Sequence, residues 1–406
     1  MWYNNRRLEY LSKKEEGENM TNLLIKLFIK DKNVEKPETR AKYGMLSSIT
    51  GIVVNILLSA VKLIIGIFAN SISIISDALN NVTDAGSSIV TMIGFKVSQK
   101  KIDKDHPWGH GRMEYITAFI VDILIVLVGV ELFKSSFDKI IHPTLPDISN
   151  ITIVILVIAV LTKLWLFIFY NKIAKTIDSA AIKGNAYDSI SDSISTFVVL
   201  LSAIVAKIFG ISIDGYASIL VAIFILFTGF KALKETIDLL LGMKPDTEFV
   251  EKLEAFTKKY EMISGIHDIM VHDYGPGRKI VSFHAEVPAN CDICKAHDVI
   301  DQMEQDIYDE FNCITTIHMD PIVTDDEEIN EMRKKTEEIV KEITSEFSIH
   351  DFRMTDGGDR INLIFDLVVS PENKMNHEEL KNVVQKKIHS VNDKYYAVPK
   401  IENSYI

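Results

Sequence analysis

The chain has 406 residues, 47% of them hydrophobic and 25% charged, and its net charge at pH 7 is −12. Three cysteines are too few to staple a chain of this length, and the acidic balance argues against nucleic acid as a partner, because phosphate binding needs a basic surface. Most apolar residues lie before Gly242 in long runs with few charges. This distribution excludes a simple soluble enzyme and a disordered chain.

Six segments before Gly242 are candidates for membrane-spanning helices, each with the roughly 20 mostly apolar residues that a span needs. They are residues 45–68, 72–97, 114–138, 150–173, 178–208 and 213–240. Polar residues interrupt the second and the fifth, which therefore score poorly on hydropathy, but these residues fall on one helical face, as in a helix that lines a cavity. The polar residues 1–43 form an N-terminal tail, in which Met20 offers a second translation start.

Positive residues in the short connections predict the orientation of these spans, because Lys and Arg concentrate on the cytoplasmic side. The connection between the second and third spans holds Lys96, Lys100, Lys101, Lys104 and Arg112. The connections expected outside carry little, namely Lys139 and Lys207. We therefore expect a multi-pass protein of the cell membrane with both termini in the cytoplasm.

The chain becomes soluble in character from about Met243, where helical and alternating segments predict a small α+β domain over 243–323. Its central stretch GIHDIMVHDYGPGRKIVSFHAEVP (Gly265–Pro288) is similar to SIHDFRMTDGGDRINLIFDLVVSP (Ser348–Pro371). A second related α/β copy is therefore expected over 324–406. The counterparts of its histidines are His350 and Asp366, and KIENSYI offers no equivalent of IHMD, so this copy is expected to have lost any metal site.

The polar residues inside the second and fifth spans are the sharpest functional signal. In SDALNNVTD (Ser76–Asp84), Asn80 and Asp84 are four apart and share one helical face, as do Asp188 and Asp192 in AYDSISD (Ala186–Asp192). Spacing alone leaves Asp77, Asn81 and Asn185 as competing ligands.

Three acids at membrane depth cost on the order of 8–10 kcal/mol on insertion scales, which a packing role cannot offset. Two facing helices with two oxygen ligands each would form a four-oxygen cage for a divalent cation. The alternative is that the acids line a water-filled vestibule or pair with Lys62 or Lys163. Because neither motif contains His, a hard or borderline ion is favoured, and manganese fits best.

The chain resembles the cation diffusion facilitators, a family of six-span divalent-metal/proton antiporters with a cytosolic ferredoxin-like domain. The resemblance rests on SDALNNVTD, DHPWGHGRMEYI (Asp105–Ile116), AYDSISD, HDIMVHDYGPGRK and IHMDP, and covers about Met45 to Ile322. It implies a transport site of Asn80, Asp84, Asp188 and Asp192, and it favours Asn80 over Asn81. Asn and Asp at the first positions match the manganese-exporting branch, whereas zinc members usually carry His there.

The resemblance also implies two further metal sites. One is the loop trio Asp103, His106 and His110, whose two histidines are four apart and would share a face if helical. The other is a cytosolic regulatory site, which the family pattern places at His267, His284, His297, His318 and Asp320. Cys291 and Cys294 form a CxxC, a weak signal that is read more simply as part of a loop.

These expectations combine into a homodimeric transporter in the lipid bilayer that exports Mn²⁺ from the cytosol in exchange for protons. Metal ions would serve as substrate and regulator, and no prosthetic group is expected. One alternative is the same transporter with Zn²⁺, Fe²⁺, Cd²⁺ or Co²⁺ as the main ion. Another, of a different class, is a membrane-anchored metal sensor. An enzyme is not expected, because the sequence shows no nucleophile–base set or phosphate-binding loop.

Overall fold

A computed structural model describes residues 20–31, 33–34, 36–68, 72–142, 150–209, 213–355, 358–370 and 373–403. The chain divides into two compact units. One ends at Gly242 and also takes in Tyr274–Gly277, and the other consists of Met243–Asp273 and the residues from Arg278 onward. Residues 1–19 of the predicted N-terminal tail lie outside the described residues.

The first unit contains a short helix followed by six long ones in its described part. They are α1 (Met20–Phe28), α2 (Pro37–Phe68), α3 (Ile72–Ser98), α4 (Met113–Ile141), α5 (Asn150–Ile177), α6 (Ala180–Phe209) and α7 (Asp214–Leu241). Helix α2 begins at Pro37, earlier than the predicted start near residue 45, because proline is well suited to the first helical position. Part of the predicted tail is therefore helical.

Four of the long helices are apolar enough to cross a membrane by length and composition, among the residues that the structure describes. The qualifying stretches are Glu38–Ile65, Met113–Ile141, Ile153–Ile177 and Gly215–Leu241. Helices α3 and α6, which carry the polar motifs, do not qualify, although with 27 and 30 residues they are close in length to the others. A count of six spans therefore stays a prediction.

The long helices pack as pairs, with α2 against α3, α4 against α7, and α5 against α6. Leu166, Phe169 and Tyr170 of α5 are buried in the largest apolar cluster of this unit. Gly51 lets α2 approach this cluster closely, because a Cβ atom there would lie only 1.7 Å from Tyr170 Oη. Helix α5 packs against α6, and Ser88 Oγ of α3 lies 3.2 Å from Tyr170 Oη of α5, so both polar helices lie near α5.

The second unit begins with helix α8 (Thr247–Thr257) and a three-stranded sheet. Its strands are β1 (Gly265–Asp273), β2 (Lys279–Pro288) and β3 (Cys313–Ile322), and helix α9 (Ile293–Phe311) joins β2 to β3. Strand β2 lies in the middle, antiparallel to β1 and parallel to β3. The alternating burial of β2 places Phe283 in a core with Leu253 and Met303.

The remaining residues form a second sheet with the same strand order. Helix α10 (Glu327–Ile343) is followed by β4 (Ser348–Met354), β5 (Ile361–Val369), α11 (His377–Val391) and β6 (Tyr395–Asn403). Strand β5 is antiparallel to β4 and parallel to β6, and Leu363, Phe365 and Leu380 lie in the core. We call 247–322 the first αββαβ module and 327–403 the second.

Candidate metal sites

Three carboxylates meet between α3 and α6. Asp84 of α3 offers an oxygen within 4.8 Å of oxygens from Asp188 and Asp192 of α6. Asp188 and Asp192 are one turn apart on the same helix, so both face α3. The structure thus brings together the three acids that the sequence analysis singled out.

Lys163 of α5 reaches the same cluster. Its Nζ donates to Asp84 Oδ2 at 2.5 Å and to Asp192 Oδ2 at 2.6 Å. The side chain of Lys163 is 3% exposed, and those of Asp84 and Asp192 are 6% and 14% exposed. The pairing with Lys163, which the sequence left open as an alternative to a metal cage, is therefore present.

The charges in this cluster can be counted directly. If the three carboxylates and the one ammonium are all ionised, their net charge is −2. A divalent cation would neutralise that charge, whereas three acids without Lys163 would carry −3. Because buried uncompensated charge is expensive, the lysine matches the cluster to a divalent ion.

The amides near these acids differ in their surroundings. Asn81 is buried and accepts a bond from Lys62 Nζ at 3.4 Å, and Asn185 donates to Thr91 Oγ1 at 3.0 Å. Asn80 is half-buried, one turn before Asp84. The side chain of Asp77 lies outside the described residues. The oxygen of Asn81 thus has another partner, whereas Asn185 Oδ1 is buried and accepts no hydrogen bond from the residues that the structure describes. The preference for Asn80 over Asn185 therefore stays a prediction.

The loop between α3 and α4 gathers Asp103, His106 and His110. Asp103 Oδ1 lies 3.1 Å from His106 Nδ1, and Asp103 Oδ2 lies 3.4 Å from His110 Nε2. The segment is not helical, so the two histidines do not share a helical face. Asp103 also accepts the backbone N–H groups of Asp105 and His106, and this local turn draws the two imidazole rings to 4.4 Å.

The first αββαβ module aligns three histidines across its sheet. His267 of β1 pairs in register with His284 of β2, which pairs with His318 of β3. Asp320 lies two residues beyond His318 and therefore projects to the same face. Its Oδ2 is 3.0 Å from His267 Nε2 and 2.9 Å from His284 Nδ1, and its Oδ1 is 3.3 Å from His318 Nε2.

The side chains of this cluster differ in burial. Burial lowers the pKa of His267 below its usual value of 6.5, which keeps the imidazole neutral and able to ligate metal at pH 7. His318 is exposed and lies at the rim of the cluster. Imidazoles with a carboxylate are ligands suited to zinc and similar borderline ions.

His297 does not join the other predicted ligands within one chain. It lies in the first turns of α9, is 61% exposed and pairs with Asp301 one turn further on. The prediction that lists it with His267, His284, His318 and Asp320 at a dimer interface is not tested by a single chain, in which the helix turns His297 to solvent.

The CxxC cysteines flank the start of the same helix. Asp292 caps α9 by accepting the N–H groups of Cys294 and Lys295, at 2.9 and 3.2 Å. Cys291 and Cys294 are free cysteines. The position of the pair is explained by the turn and the helix cap between them.

The second αββαβ module presents different side chains at the matching positions. His350 pairs in register with Asp366, which pairs with Lys400, and Glu402 follows two residues later. Lys400 Nζ lies 3.6 Å from Asp366 Oδ2 and also contacts Glu402. In KIENSYI, Lys400 and Glu402 stand where His318 and Asp320 stand in the first module, so the histidine of IHMD has no counterpart there, as expected. A lysine ammonium occupies the place that a cation would take there.

Comparison with known proteins places this chain among metal transporters. Residues 48–241 match the cation efflux transmembrane domain, and residues 245–322 match the cytoplasmic domain of cation efflux proteins. An uncharacterized transporter of Methanocaldococcus jannaschii is 33% identical over 66% of this chain and 91% of its own length.

Two bacterial relatives have named functions. The manganese efflux system protein MneS of Bacillus subtilis is 27% identical over 69% of this chain and 97% of its own length. The cation-efflux pump FieF of Salmonella newport is 27% identical over 69% of this chain and 94% of its own length. With both domains matched, the chain belongs to the cation efflux family of multi-pass membrane transporters.

Proposed function

We propose that this divalent cation efflux transporter exports Mn²⁺ from the cytosol in exchange for protons. The observation that carries the proposal is the group of Asp84, Asp188 and Asp192, gathered from two helices around Lys163. An assembly with a net charge of −2 and oxygen ligands suits a divalent ion. Asn80, one turn before Asp84, would complete a four-oxygen set.

Manganese is the proposed main ion because the ligands are oxygens. Carboxylate and carbonyl oxygens favour Mg²⁺, Ca²⁺ and Mn²⁺, whereas zinc and copper favour imidazole and thiolate. Mg²⁺ keeps most of its waters and Ca²⁺ usually takes six to eight ligands, so a compact four-ligand site fits Mn²⁺ better. The name of the relative MneS, a manganese efflux system protein, supports the same choice.

Lys163 places a positive charge beside the three carboxylates. Its ammonium lies on the carboxylates of Asp84 and Asp192, which an entering ion needs as ligands. We infer that Mn²⁺ displaces Lys163 from these oxygens when it binds. After the ion leaves on the outer side, Lys163 and protons return to the carboxylates, and the neutralised site swings back toward the cytosol.

The surrounding architecture is proposed to follow the same family. We infer six spans, with α3 and α6 facing the transport site rather than lipid and both termini in the cytoplasm, as the positive residues in the connections indicate. We also infer a homodimer joined through the cytosolic domains. Metal bound at His267, His284, His318 and Asp320 would then bias the dimer toward transport.

Two alternatives remain open to test. The same site serves a transporter whose main ion is Zn²⁺, Fe²⁺, Cd²⁺ or Co²⁺. A membrane-anchored sensor would use only the cytosolic clusters, and it would have no use for three acids at membrane depth. That cost favours transport over anchoring.

A metal-panel transport assay tests the proposal. The full-length protein is reconstituted in proteoliposomes with a proton gradient, and the uptake of Mn²⁺, Zn²⁺, Fe²⁺, Cd²⁺ and Co²⁺ is measured separately. We expect Mn²⁺ to be moved fastest at equal free concentration. Faster movement of Zn²⁺ would replace manganese as the main ion, and no movement of any metal by folded protein would contradict transport.

A further inference from the structure

The second αββαβ module places one histidine against the first. The His350 ring of β4 lies 4.1 Å from the His267 ring of β1, and the ring planes are 26° apart. His350 Nε2 lies 3.4 Å from Asp268 Oδ1. His267, Asp268 and His350 each offer a ligand atom within 4.8 Å of the others.

The surroundings of His350 leave its ring nitrogens without a satisfactory partner. The side chain is 8% exposed, yet neither Nδ1 nor Nε2 makes an aligned hydrogen bond with any residue that the structure describes. The approach to Asp268 is close but not aligned as a hydrogen bond. Buried polar groups in proteins are nearly always satisfied, so an imidazole in this state indicates a missing partner at the junction.

A bulge in β1 explains how two consecutive residues reach the same point. Successive residues of a regular strand point to opposite faces. The register of β1 on β2 shifts between His267 and Met270, and Asp268 adopts a positive φ of 53°. This backbone conformation is uncommon for residues other than glycine, and it turns Asp268 to the side on which His267 meets His350.

We propose that His267, Asp268 and His350 bind a divalent cation of the zinc class at the junction of the two αββαβ modules. Two imidazoles and one carboxylate are ligands that Zn²⁺ and Co²⁺ accept, and a water molecule would complete a tetrahedral set. Neither module alone contains this site, because His267 and Asp268 come from the first module and His350 from the second.

The neighbouring cluster can bind its own ion at the same time. With His267 assigned to the junction, the regulatory ion proposed above for the first module would keep His284, His318 and Asp320 as its ligands. Asp320 contacts both histidines, whose ring centroids are 4.7 Å apart. Each ion then has three protein ligands, and no neutral imidazole has to serve two ions. The cytosolic unit would therefore hold one ion within the first module and one between the modules.

The functional consequence is that metal binding would stabilise the docking of the second module on the first. An ion that binds only the docked arrangement stabilises that arrangement by mass action. The connection at residues 323–326 between β3 and α10 is largely exposed, so its cleavage by a protease can report the docking. This inference concerns the cytosolic unit and does not depend on which ion is transported.

Equilibrium dialysis of the full-length protein in detergent against Zn²⁺ tests the site. The variants are His350→Ala and Asp268→Asn, and the matched control is His377→Ala, which removes an exposed histidine from the same module. Asn tolerates a positive φ, so Asp268→Asn removes a ligand charge with little change of backbone. We expect both site variants to bind one Zn²⁺ fewer than the parent and the control.

Limited proteolysis of the same samples supplies a second readout. Zn²⁺ should slow cleavage within 323–326 in the parent and in His377→Ala, but not in the two site variants. Circular dichroism checks folding, and Asp268→Asn decides the outcome if His350→Ala unfolds. Equal Zn²⁺ stoichiometry in the parent and a folded site variant would overturn the proposal. Metal flux is not a readout here, so failure of this site and failure of the transport proposal are distinguishable.

Discussion

Lys163 Nζ lies 2.5 Å from Asp84 Oδ2, and both side chains are more than nine-tenths buried between helices of the membrane unit. The same ammonium contacts Asp192. An internal cation therefore occupies the carboxylates to which an exported cation is proposed to bind. Binding of the exported ion would therefore compete with the ion pairs of Lys163 with Asp84 and Asp192.

Replacing Lys163 by Met should separate binding from turnover. Removing one partner of a buried ion pair costs about 3–5 kcal/mol, because it leaves uncompensated charge. We expect a lower melting temperature without metal, a larger stabilisation by Mn²⁺ than in the parent, and slower transport. Lys62→Met is the matched control, since Lys62 is equally buried but contacts Asn81. Thermal unfolding with and without Mn²⁺ measures the difference, and identical metal-induced shifts in both variants would contradict the competition.

Asp84→Asn and Asp192→Asn should each abolish Mn²⁺ efflux. Each change keeps the shape of the side chain but removes a charge, so the site no longer balances a divalent ion, and the amide does not take up a proton. We expect a fall in Mn²⁺ affinity greater than the roughly 10–100-fold that loss of an outer-shell partner costs. Asp122→Asn is the control, because buried Asp122 accepts a bond from Thr236 instead, at 2.6 Å. Equal loss in all three variants would show a general effect of removing buried acids.

Asn80→His combined with Asp188→His should shift selectivity toward zinc. The two substitutions add imidazoles to a site whose predicted ligands are all oxygens, and imidazole favours borderline ions. The ratio of Mn²⁺ to Zn²⁺ uptake in proteoliposomes measures the effect. We expect at least about a tenfold change in that ratio, equivalent to about 1.4 kcal/mol. An unchanged ratio of Mn²⁺ to Zn²⁺ uptake in a well-folded double variant would show that these two positions do not ligate the ion.

His284→Ala and Asp320→Ala should weaken metal binding by the cytosolic unit and reduce transport only in part. Both side chains belong to the cluster on the first sheet, outside the membrane helices. His272→Ala is the control, an exposed residue of β1 that lies apart from the cluster. Zinc binding by full-length protein and Mn²⁺ flux are measured together. Complete loss of flux in variants that fold and dimerise normally would give the cluster a direct part in conduction.

If His267 is a metal ligand as proposed, its acidity should limit the pH range of metal binding. Burial lowers the pKa of this imidazole, so it stays neutral at pH values where a free histidine begins to bind protons. Since only the neutral ring ligates metal, binding through His267 should persist as pH falls through 6.5 and weaken at lower pH. Zinc titrations from pH 7.5 to 5.5 measure this. Loss of binding already above pH 6.5 would contradict the assignment.

The sequence predicted the six long helices and the grouping of Asp84 with Asp188 and Asp192, because both depend on local patterns, whereas the count of six spans stays a prediction. Apolar length predicts a long helix, and four-residue spacing places Asp188 and Asp192 on one face. The contact of Lys163 with Asp84 depends on how α5 packs against α3 and α6. A lysine near the middle of an apolar segment was a signal of importance, but its partner is not encoded in spacing.

In the two αββαβ modules, too, the contacts that depend on packing could not be predicted from the sequence. The similarity between the two stretches led from His267 to His350, but that relation implied a lost site in the second copy. The contact of His350 with Asp268 is made between the two modules and depends on the bulge in β1, which we did not predict from the sequence. Lys400 and Glu402 were missed because only the strand register shows that they take the places of His318 and Asp320.

Simultaneous measurement of Mn²⁺ flux and lumenal pH in the same proteoliposomes tests the central claim most directly. If Asp84, Asp188 and Asp192 bind both the Mn²⁺ and the protons exchanged for it, each Mn²⁺ that enters the lumen should be accompanied by protons that leave it. Lowering the pH on the metal-entry side should slow Mn²⁺ flux, because protons compete for the same oxygens. Mn²⁺ flux in the parent protein without any proton counter-movement would contradict the account and reduce the protein to a uniporter.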